Sequence, residues 1–205
     1  MSEPSRSPVR IVHSEIGVKP WACSTPTCGS VRPACCAACG VASREPGKPL
    51  TLVGHGLLAR MIEGPLEPGG DAVNCQVQCR RFLCTACGAV LVVVPRGVGR
   101  GFRYALSCIA YALALWGYAR TNAERTRAAT SAASARGLAS PEQWSSLRRW
   151  VRRAPSIFGA GVPATTGSLR ERAAQLAIWL AAHAPLPTTR VPHDAFFGGC
   201  FVEAR

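Results

Sequence analysis

Cys36-Ala-Ala-Cys39-Gly40 and Cys84-Thr-Ala-Cys87-Gly88 are two copies of one short turn motif, Cys-x-x-Cys-Gly. Two thiolates three positions apart can bind one metal ion from a tight turn, and the glycine supplies the permissive backbone that lets amide groups point at the sulfur atoms. Four thiolates leave no open coordination position. The motifs therefore predict one structural Zn²⁺ ion bound by Cys36, Cys39, Cys84 and Cys87. The alternative is a ribbon that has kept the fold and lost the metal.

The sequence between and after the two motifs is typical of β-structure. Residues 50–62 predict a strand, residues 63–70 are rich in turn formers, and residues 72–83 alternate between apolar and polar side chains. Residues 89–94 form a short, fully apolar strand that ends at Pro95. Turn, hairpin, turn and closing strand are the order that a zinc ribbon needs, so we expect a small β zinc ribbon over residues 35–98.

The remaining chain divides into an arm and a helical part. Residues 1–34 contain five prolines and no periodic pattern, which predicts a mobile arm. From residue 101 the pattern is helical, with a first helix over residues 104–118 and a second over residues 141–153. We expect a helix-turn-helix-like domain over 101–155, then a C-terminal helix and tail over 156–205. The predicted fold class is α+β, a small N-terminal β zinc ribbon followed by an all-α domain.

The charge of the chain is strongly positive. There are 24 Lys and Arg residues against 11 Asp and Glu, a net charge of +13, and Lys19 and Lys48 are the only lysines. Guanidinium groups suit phosphates and base edges, so this excess favours a nucleic-acid partner. A genome rich in G and C, which favours arginine codons, would explain part of the same excess.

The helix predicted over residues 141–153 carries the densest cluster of this charge. Ser140 is suited to cap it, and Trp144, Leu147 and Val151 fall on one face at helical spacing. Arginines crowd the remainder, which predicts a DNA-recognition helix, although a solvated basic face is the alternative. The candidate DNA-binding residues are Arg148, Arg149, Arg152 and Arg153, with Arg80 and Arg81 beside the second turn motif as further phosphate contacts.

The chain has eleven cysteines, of which four more could form a second metal site: Cys23, Cys28, Cys75 and Cys79. Cys75 and Cys79 would lie about 13 Å apart on an extended strand, too far to share one ion without a bend. We therefore expect buried thiols, as for Cys108 and Cys200. The N-terminus has no apolar segment typical of a signal peptide, which favours a cytoplasmic protein. In that compartment metal binding is favoured over disulfides.

Several function classes find no support in the sequence. The apolar run over residues 104–119 is about sixteen residues long and falls short of the ~20 that a membrane span requires, so a buried helix is expected. Nucleotide-binding and nucleophile motifs are absent from the sequence, and its carboxylates are few and scattered. We expect neither an enzyme nor a small-molecule substrate.

Several segments together resemble those of a known family. They are the Cys-x-x-Cys-Gly turns, the strand that ends in Cys79-Arg-Arg-Phe-Leu-Cys84, and Ser146-Leu-Arg-Arg-Trp-Val-Arg. The chain resembles, over residues 35–155, bacterial insertion-element proteins in which a transposase-type zinc ribbon leads into a helix-turn-helix. Members with transposase activity continue into an acidic-triad catalytic domain, which this sequence lacks. The resemblance implies metal binding at the four cysteines, DNA contact around Arg148–Arg153, and catalysis supplied elsewhere.

These observations predict a zinc-stabilised, sequence-specific protein that binds double-stranded DNA as a mobile-element accessory protein. A separate transposase or a second copy of the chain is a candidate partner. Two alternatives stay open: a transcription regulator with the same modules, and an adaptor whose ribbon binds another protein.

Overall fold

The computed structural model describes residues 9–99, 101–133 and 145–202 of the chain. Its strands and helices are β1 (Arg10–Gly17), α1 (Val18–Cys23), β2 (Leu52–Pro65), β3 (Ala72–Cys84), β4 (Val90–Arg96), α2 (Leu106–Leu113), α3 (Ala123–Thr130), α4 (Ser146–Arg152), α5 (Ala154–Phe158), α6 (Leu169–Ala181) and α7 (Val191–Phe201). A π-helical turn over Ala114–Tyr118 continues α2. Among these residues, none of the helices combines the length and apolar character that crossing a membrane requires.

The four strands form one mixed sheet in the order β1-β4-β3-β2. β1 runs parallel to β4, with Ile11 opposite Val92, and β3 runs antiparallel to β4, with Phe82 opposite Leu91. β4 is therefore an interior strand, and its residues 91–94 are at most 4% exposed. A continuous apolar run is the pattern expected of a strand that is buried on both faces.

The expected arrangement, an N-terminal zinc ribbon followed by an all-α helix-turn-helix-like domain, is wrong. Strands and helices are both present, but the sheet occupies the middle of the chain and includes β1, which lies outside residues 35–98. Helices α2 to α7 also share their compact unit with residues 61–75, the turn between β2 and β3 and the strand ends beside it. The physical reason lies in β4, because buried backbone groups need partners on both edges of a strand and β1 supplies the second edge.

The chain divides into two compact units. The first holds the residues up to Arg60 together with Gln76–Arg96, and the second holds Met61–Cys75 together with the residues from Gly97 onward.

The strands predicted over residues 50–62, 72–83 and 89–94 are confirmed as β2, β3 and β4.

The N-terminal residues of the first unit are ordered by contacts with β3, so the expected mobile arm is wrong for residues 10–32. Trp21 of α1 is 1% exposed, and its indole Nε1 donates to the carbonyl oxygen of Gln78 at 3.0 Å. The guanidinium of Arg32 lies 5.5 Å from the centre of the Phe82 ring. A buried tryptophan and a stacked arginine offset the ordering entropy of this segment.

The second unit has a helical core centred on α2, every residue of which is buried. Helices α4, α5, α6 and α7 contribute to the same apolar cluster. Gly198 and Gly199 of α7 let that helix approach α6 and α2 closely, since a Cβ at Gly198 would collide with the carbonyl oxygen of Leu180. The helix predicted over residues 104–118 is confirmed as α2 and its π turn.

The C-terminal helix expected within residues 156–205 includes α6, which begins with a capping box formed by Ser168 and Glu171. Glu171 N donates to Ser168 Oγ at 3.3 Å, and Ser168 N donates to Glu171 Oε2 at 2.8 Å. The predicted cap at Ser140 and the apolar residue Trp144 of the same predicted helix lie outside the described residues.

Candidate metal centre

The first turn, Cys36 to Gly40, has the backbone geometry that aims two thiols at one point. Gly40 N donates to Cys36 O at 2.8 Å, and Cys36 N donates to Val41 O at 2.8 Å. Gly40 has a φ of 74°, a conformation that L side chains rarely adopt, which explains the glycine of the motif. Ala38 N approaches Cys36 Sγ at 3.4 Å, so a backbone amide stabilises negative charge on this sulfur.

The second turn, Cys84 to Gly88, repeats this geometry. Gly88 N donates to Cys84 O at 2.8 Å, Cys84 N donates to Ala89 O at 2.9 Å, and Gly88 has a φ of 73°. The same five-residue sequence pattern therefore produces the same turn twice.

Thr51, the residue before β2, connects the two turns. Its backbone N donates to Ser43 O at 3.1 Å, close after the first turn, and its carbonyl oxygen accepts from Thr85 N of the second turn at 2.9 Å. The Thr85 hydroxyl donates to the same oxygen at 3.2 Å. These bonds hold the two turns against each other through the backbone, so the cysteines do not rely on the metal alone for their placement.

The four sulfur atoms, those of Cys36, Cys39, Cys84 and Cys87, all lie within 4.8 Å of one another. The Sγ atoms of Cys36 and Cys87 are 3.8 Å apart, and those of Cys39 and Cys84 are also 3.8 Å apart. A tetrahedral ion about 2.3 Å from each of four thiolates requires sulfur atoms about 3.8 Å apart. The group predicted from the sequence is thus brought together, and it could hold a metal ion.

The electrostatics of the cluster favour a cation. Cys36 and Cys84 are buried, whereas Cys39 and Cys87 are exposed. Burial raises the pKa of Cys36, but hydrogen bonds from the backbone of Ala38 and Cys39 and from the neighbouring thiols bring it down to about 7. The backbone of Ala89 lowers the pKa of Cys87, yet the crowding by the other three thiols outweighs it and raises the value to about 12. Four sulfur atoms this close resist full ionisation until a cation neutralises them.

The remaining cysteines do not join this group. Within residues 9–99, 101–133 and 145–202, no other set of three or more Cys, His, Asp or Glu side chains is close enough to hold an ion. No second site is therefore formed by the four cysteines considered for one, Cys23, Cys28, Cys75 and Cys79. Burial raises the pKa of both Cys75 and Cys79. Cys108 is fully buried, and its thiol donates to Thr130 O at 3.3 Å. Cys79 and Cys108 are buried and behave as small apolar side chains. The expected burial is wrong for Cys23, which is exposed, and Cys28, Cys75 and Cys200 are only partly buried.

Helix α4 and its C-cap residue, Arg153, carry the four arginines of the predicted DNA-recognition helix. Leu147, Trp150 and Val151 are at most 2% exposed and belong to the core of the second unit. The ring of Trp150 packs edge-on against Tyr104 at 5.1 Å between centroids. All four predicted side chains on this segment are exposed: Arg148, Arg149, Arg152 and Arg153.

The two arginines of β3 occupy a different environment. Arg80 and Arg81 are half-buried, and Arg80 Nε donates to the carbonyl oxygen of Pro26 at 2.7 Å. Arg80 therefore fastens the N-terminal segment to β3. That contact gives it a structural role beside any role toward phosphates.

A cleft in the second unit is not foreseen from the sequence. It is lined by nine residues, among them Tyr111, Tyr118, Arg190 and His193. The sequence signal that could have located this cleft is the concentration of phenylalanines, prolines and a histidine between residues 185 and 201. No structure is predicted for this tail from the sequence, but it contains α7.

Comparison with known proteins adds no relative: no protein-family model, curated protein or solved structure matches the chain. The fold and the site define a mixed α+β protein with a four-cysteine cluster that could hold a metal ion.

Proposed function

We propose that this chain is a zinc-stabilised protein that binds double-stranded DNA in a sequence-specific manner. The observation that carries the proposal is the surface formed by Arg148, Arg149, Arg152 and Arg153, called the arginine face below. All four side chains are exposed, and no carboxylate of the described ranges forms an ion pair with any of them. Their charge is available to an anionic partner.

The arrangement of residues on α4 supports a binding surface rather than scattered charge. At 100° per residue, the four arginines span an arc of about 140°, and Leu147, Trp150 and Val151 occupy an arc of about 100° on the opposite side. The buried side fixes the helix to the core of the second unit. A rigid helix keeps its arginines in register with a duplex, which lowers the entropy lost on binding.

The chemistry of arginine favours DNA as the anionic partner. The planar guanidinium binds phosphate oxygens bidentately and can also bind O6 and N7 of guanine in the major groove. From Ser145 to Arg170 the sequence has no acidic residue, so this segment adds no negative charge of its own that would repel a phosphate backbone. Arg80 and Arg81 are proposed as secondary phosphate contacts, with Arg80 also retaining its bond to Pro26.

Zinc is the ion proposed for the four-cysteine cluster. Closed four-thiolate sites built from Cys-x-x-Cys turns are structural zinc sites, and such ions stabilise small folds without taking part in reactions. Iron prefers the same tetrahedral sulfur ligands. The two ions are distinguished by visible absorption, which an iron–thiolate centre has and a zinc centre lacks.

A role beside a mobile element is proposed on the sequence resemblance alone. In that role the chain binds the ends of the element or a regulatory site, and a separate transposase supplies catalysis. Genes for a transposase next to the gene for this chain would favour this role over that of a transcription regulator.

Selection of bound duplexes from a random DNA pool tests the proposed function. We expect one common sequence to be enriched by the zinc-loaded full chain. The variant R148A/R149A/R152A is expected to lose the enrichment. A pool that stays random after repeated rounds with the wild-type chain would contradict sequence-specific binding.

A further inference from the structure

A cleft of about 410 Å³ opens on the surface of the second unit. Its walls come from α2, the end of the π turn, the start of α7 and the turn after β2. This volume lies within the range of about 300–1,000 Å³ that small-molecule sites have. The cleft is large enough for a single nucleotide-sized ligand.

Two tyrosines line the cleft. Tyr118 is 47% exposed, so a face of its ring is accessible to a ligand. Tyr111 is 9% exposed and packs edge-on against Phe196 at 5.9 Å between centroids. The backbone of Gly69 is hydrogen-bonded to the Tyr111 hydroxyl. Tyr111 is therefore a fixed part of the wall, whereas Tyr118 is free to stack against a planar group.

The lining also includes a guanidinium and an oriented imidazole. Arg190 is exposed, and no carboxylate of the described residues pairs with its side chain. His193 Nδ1 lies 3.3 Å from Asp194 Oδ1, and the ring packs against Phe197 at 4.9 Å. With Nδ1 turned toward Asp194, Nε2 is left for a ligand, since none of the described groups bonds to it.

The segment that carries these polar groups is held in place by a buried carboxylate. Asp194 is 4% exposed and accepts hydrogen bonds from Thr188 N at 2.9 Å and from the Thr188 hydroxyl at 2.8 Å. Arg190 N in turn donates to the Thr188 hydroxyl oxygen at 3.1 Å. The segment that carries Arg190 and His193 is thus held in place before any ligand binds, which lowers the entropic cost of binding.

We propose that this cleft binds one unstacked nucleotide of single-stranded DNA. The base stacks on Tyr118, the phosphate pairs with Arg190, and His193 Nε2 hydrogen-bonds an edge of the base. The inference rests on the proposed function in one respect, because both proposals take nucleic acid as the ligand. It places single-strand recognition on residues other than the arginine face.

The combination of groups favours a nucleotide over other phosphorylated ligands. An exposed aromatic ring beside a cation is the arrangement by which proteins bind single strands, since every base has a face to stack and every linkage has a charge. Inorganic phosphate would use Arg190 and leave the tyrosines unoccupied. A free nucleoside would use Tyr118 and leave the guanidinium unpaired.

Calorimetric titration of the full chain with deoxyadenosine monophosphate tests the proposal, with deoxyadenosine and inorganic phosphate as separate arms. We expect the monophosphate to bind, and Tyr118→Ala and Arg190→Ala each to weaken it about tenfold. Tyr118→Phe keeps the ring and is expected to retain affinity within about threefold. We expect the affinity for deoxyadenosine to fall in Tyr118→Ala and to stay unchanged in Arg190→Ala.

Arg125→Ala is the matched control, because it removes an exposed arginine from α3, outside both the cleft and the arginine face, and is expected to leave monophosphate binding unchanged. No heat of binding at millimolar monophosphate, equal binding of inorganic phosphate, or affinity that neither cleft variant lowers would overturn the proposal. Circular dichroism checks that each variant is folded. If a variant unfolds, the proposal is tested by the wild-type titrations with the monophosphate, deoxyadenosine and inorganic phosphate. Duplex binding by the arginine face is measured separately, so either proposal can fail alone.

Discussion

The Sγ atoms of Cys36 and Cys87 lie 3.8 Å apart, although 51 positions separate the two residues in the chain. Two equivalent turns, tied together through Thr51, produce this proximity. Because the backbone places the sulfur atoms, a metal ion bound there would couple the two turns and add its binding free energy to the stability of the first unit.

Cys36→Ala tests the metal cluster, with Cys35→Ala as its control. The two cysteines are neighbours in sequence, but Cys35 is exposed and lies outside the cluster. We expect about one zinc ion per chain in the wild-type protein and in C35A, and a loss of most of the metal in C36A. Elemental analysis after gel filtration measures the ratio. Equal metal contents in the two variants would contradict the assignment.

Metal affinity is expected to rise with pH, since each thiol must lose its proton to become a ligand. The pKa of Cys36 is about 7, so this residue releases a proton on metal binding below pH 7 and none well above it. The pKa of Cys87 is about 12, so this residue still releases a proton throughout the neutral range.

The dependence of log affinity on pH should therefore become shallower by about one unit of slope as the pH rises through 7. Competition with a chromophoric chelator between pH 5.5 and 8.5 measures this change. An affinity that does not vary with pH would show that thiolates are not the ligands.

Much of the first unit could be predicted from local sequence. The two turn motifs have a direct chemical meaning, and the alternation before Cys84 marks β3. β1 could not be predicted this way, because its partner β4 is remote in sequence and the surrounding prolines conceal a short strand. The fully apolar run of β4 is the sequence signal that indicates a further strand beside it, since a strand buried on both faces needs a neighbour on each edge.

The second unit was harder to predict because tertiary packing overrides local propensity there. α7 contains Gly198 and Gly199, which disfavour a helix, yet their lack of side chains is what lets α7 pack against α6 and α2. The arginine face was recognisable from helical spacing, whereas its placement in one core with α2 and α6 was not.

Gly198→Ala is expected to destabilise the second unit by about 3 kcal/mol, because the new Cβ would collide with the carbonyl oxygen of Leu180. Gly161→Ala is the matched control, since its nearest neighbour would be a Trp179 ring atom at 3.9 Å. That change should leave stability within about 1 kcal/mol of wild type. Urea unfolding followed by circular dichroism compares the two. Equal midpoints would contradict the close helix packing.

The salt dependence of duplex DNA binding tests the arginine face most directly. Each phosphate that the protein neutralises adds about 0.9 to the slope of log affinity against log salt concentration. A variant with alanine at Arg148, Arg149 and Arg152 is compared with one that has alanine at three exposed arginines of other elements, Arg10, Arg44 and Arg125. Both variants lose the same amount of charge, so net charge alone cannot distinguish them.

Fluorescence anisotropy of a labelled duplex at several salt concentrations gives the slope for each protein. We expect the slope to fall by about 2–3 in the α4 variant and by less than about 1 in the control variant. Equal slopes for wild-type protein and the α4 variant, or no duplex binding by the wild-type chain at low salt, would contradict it.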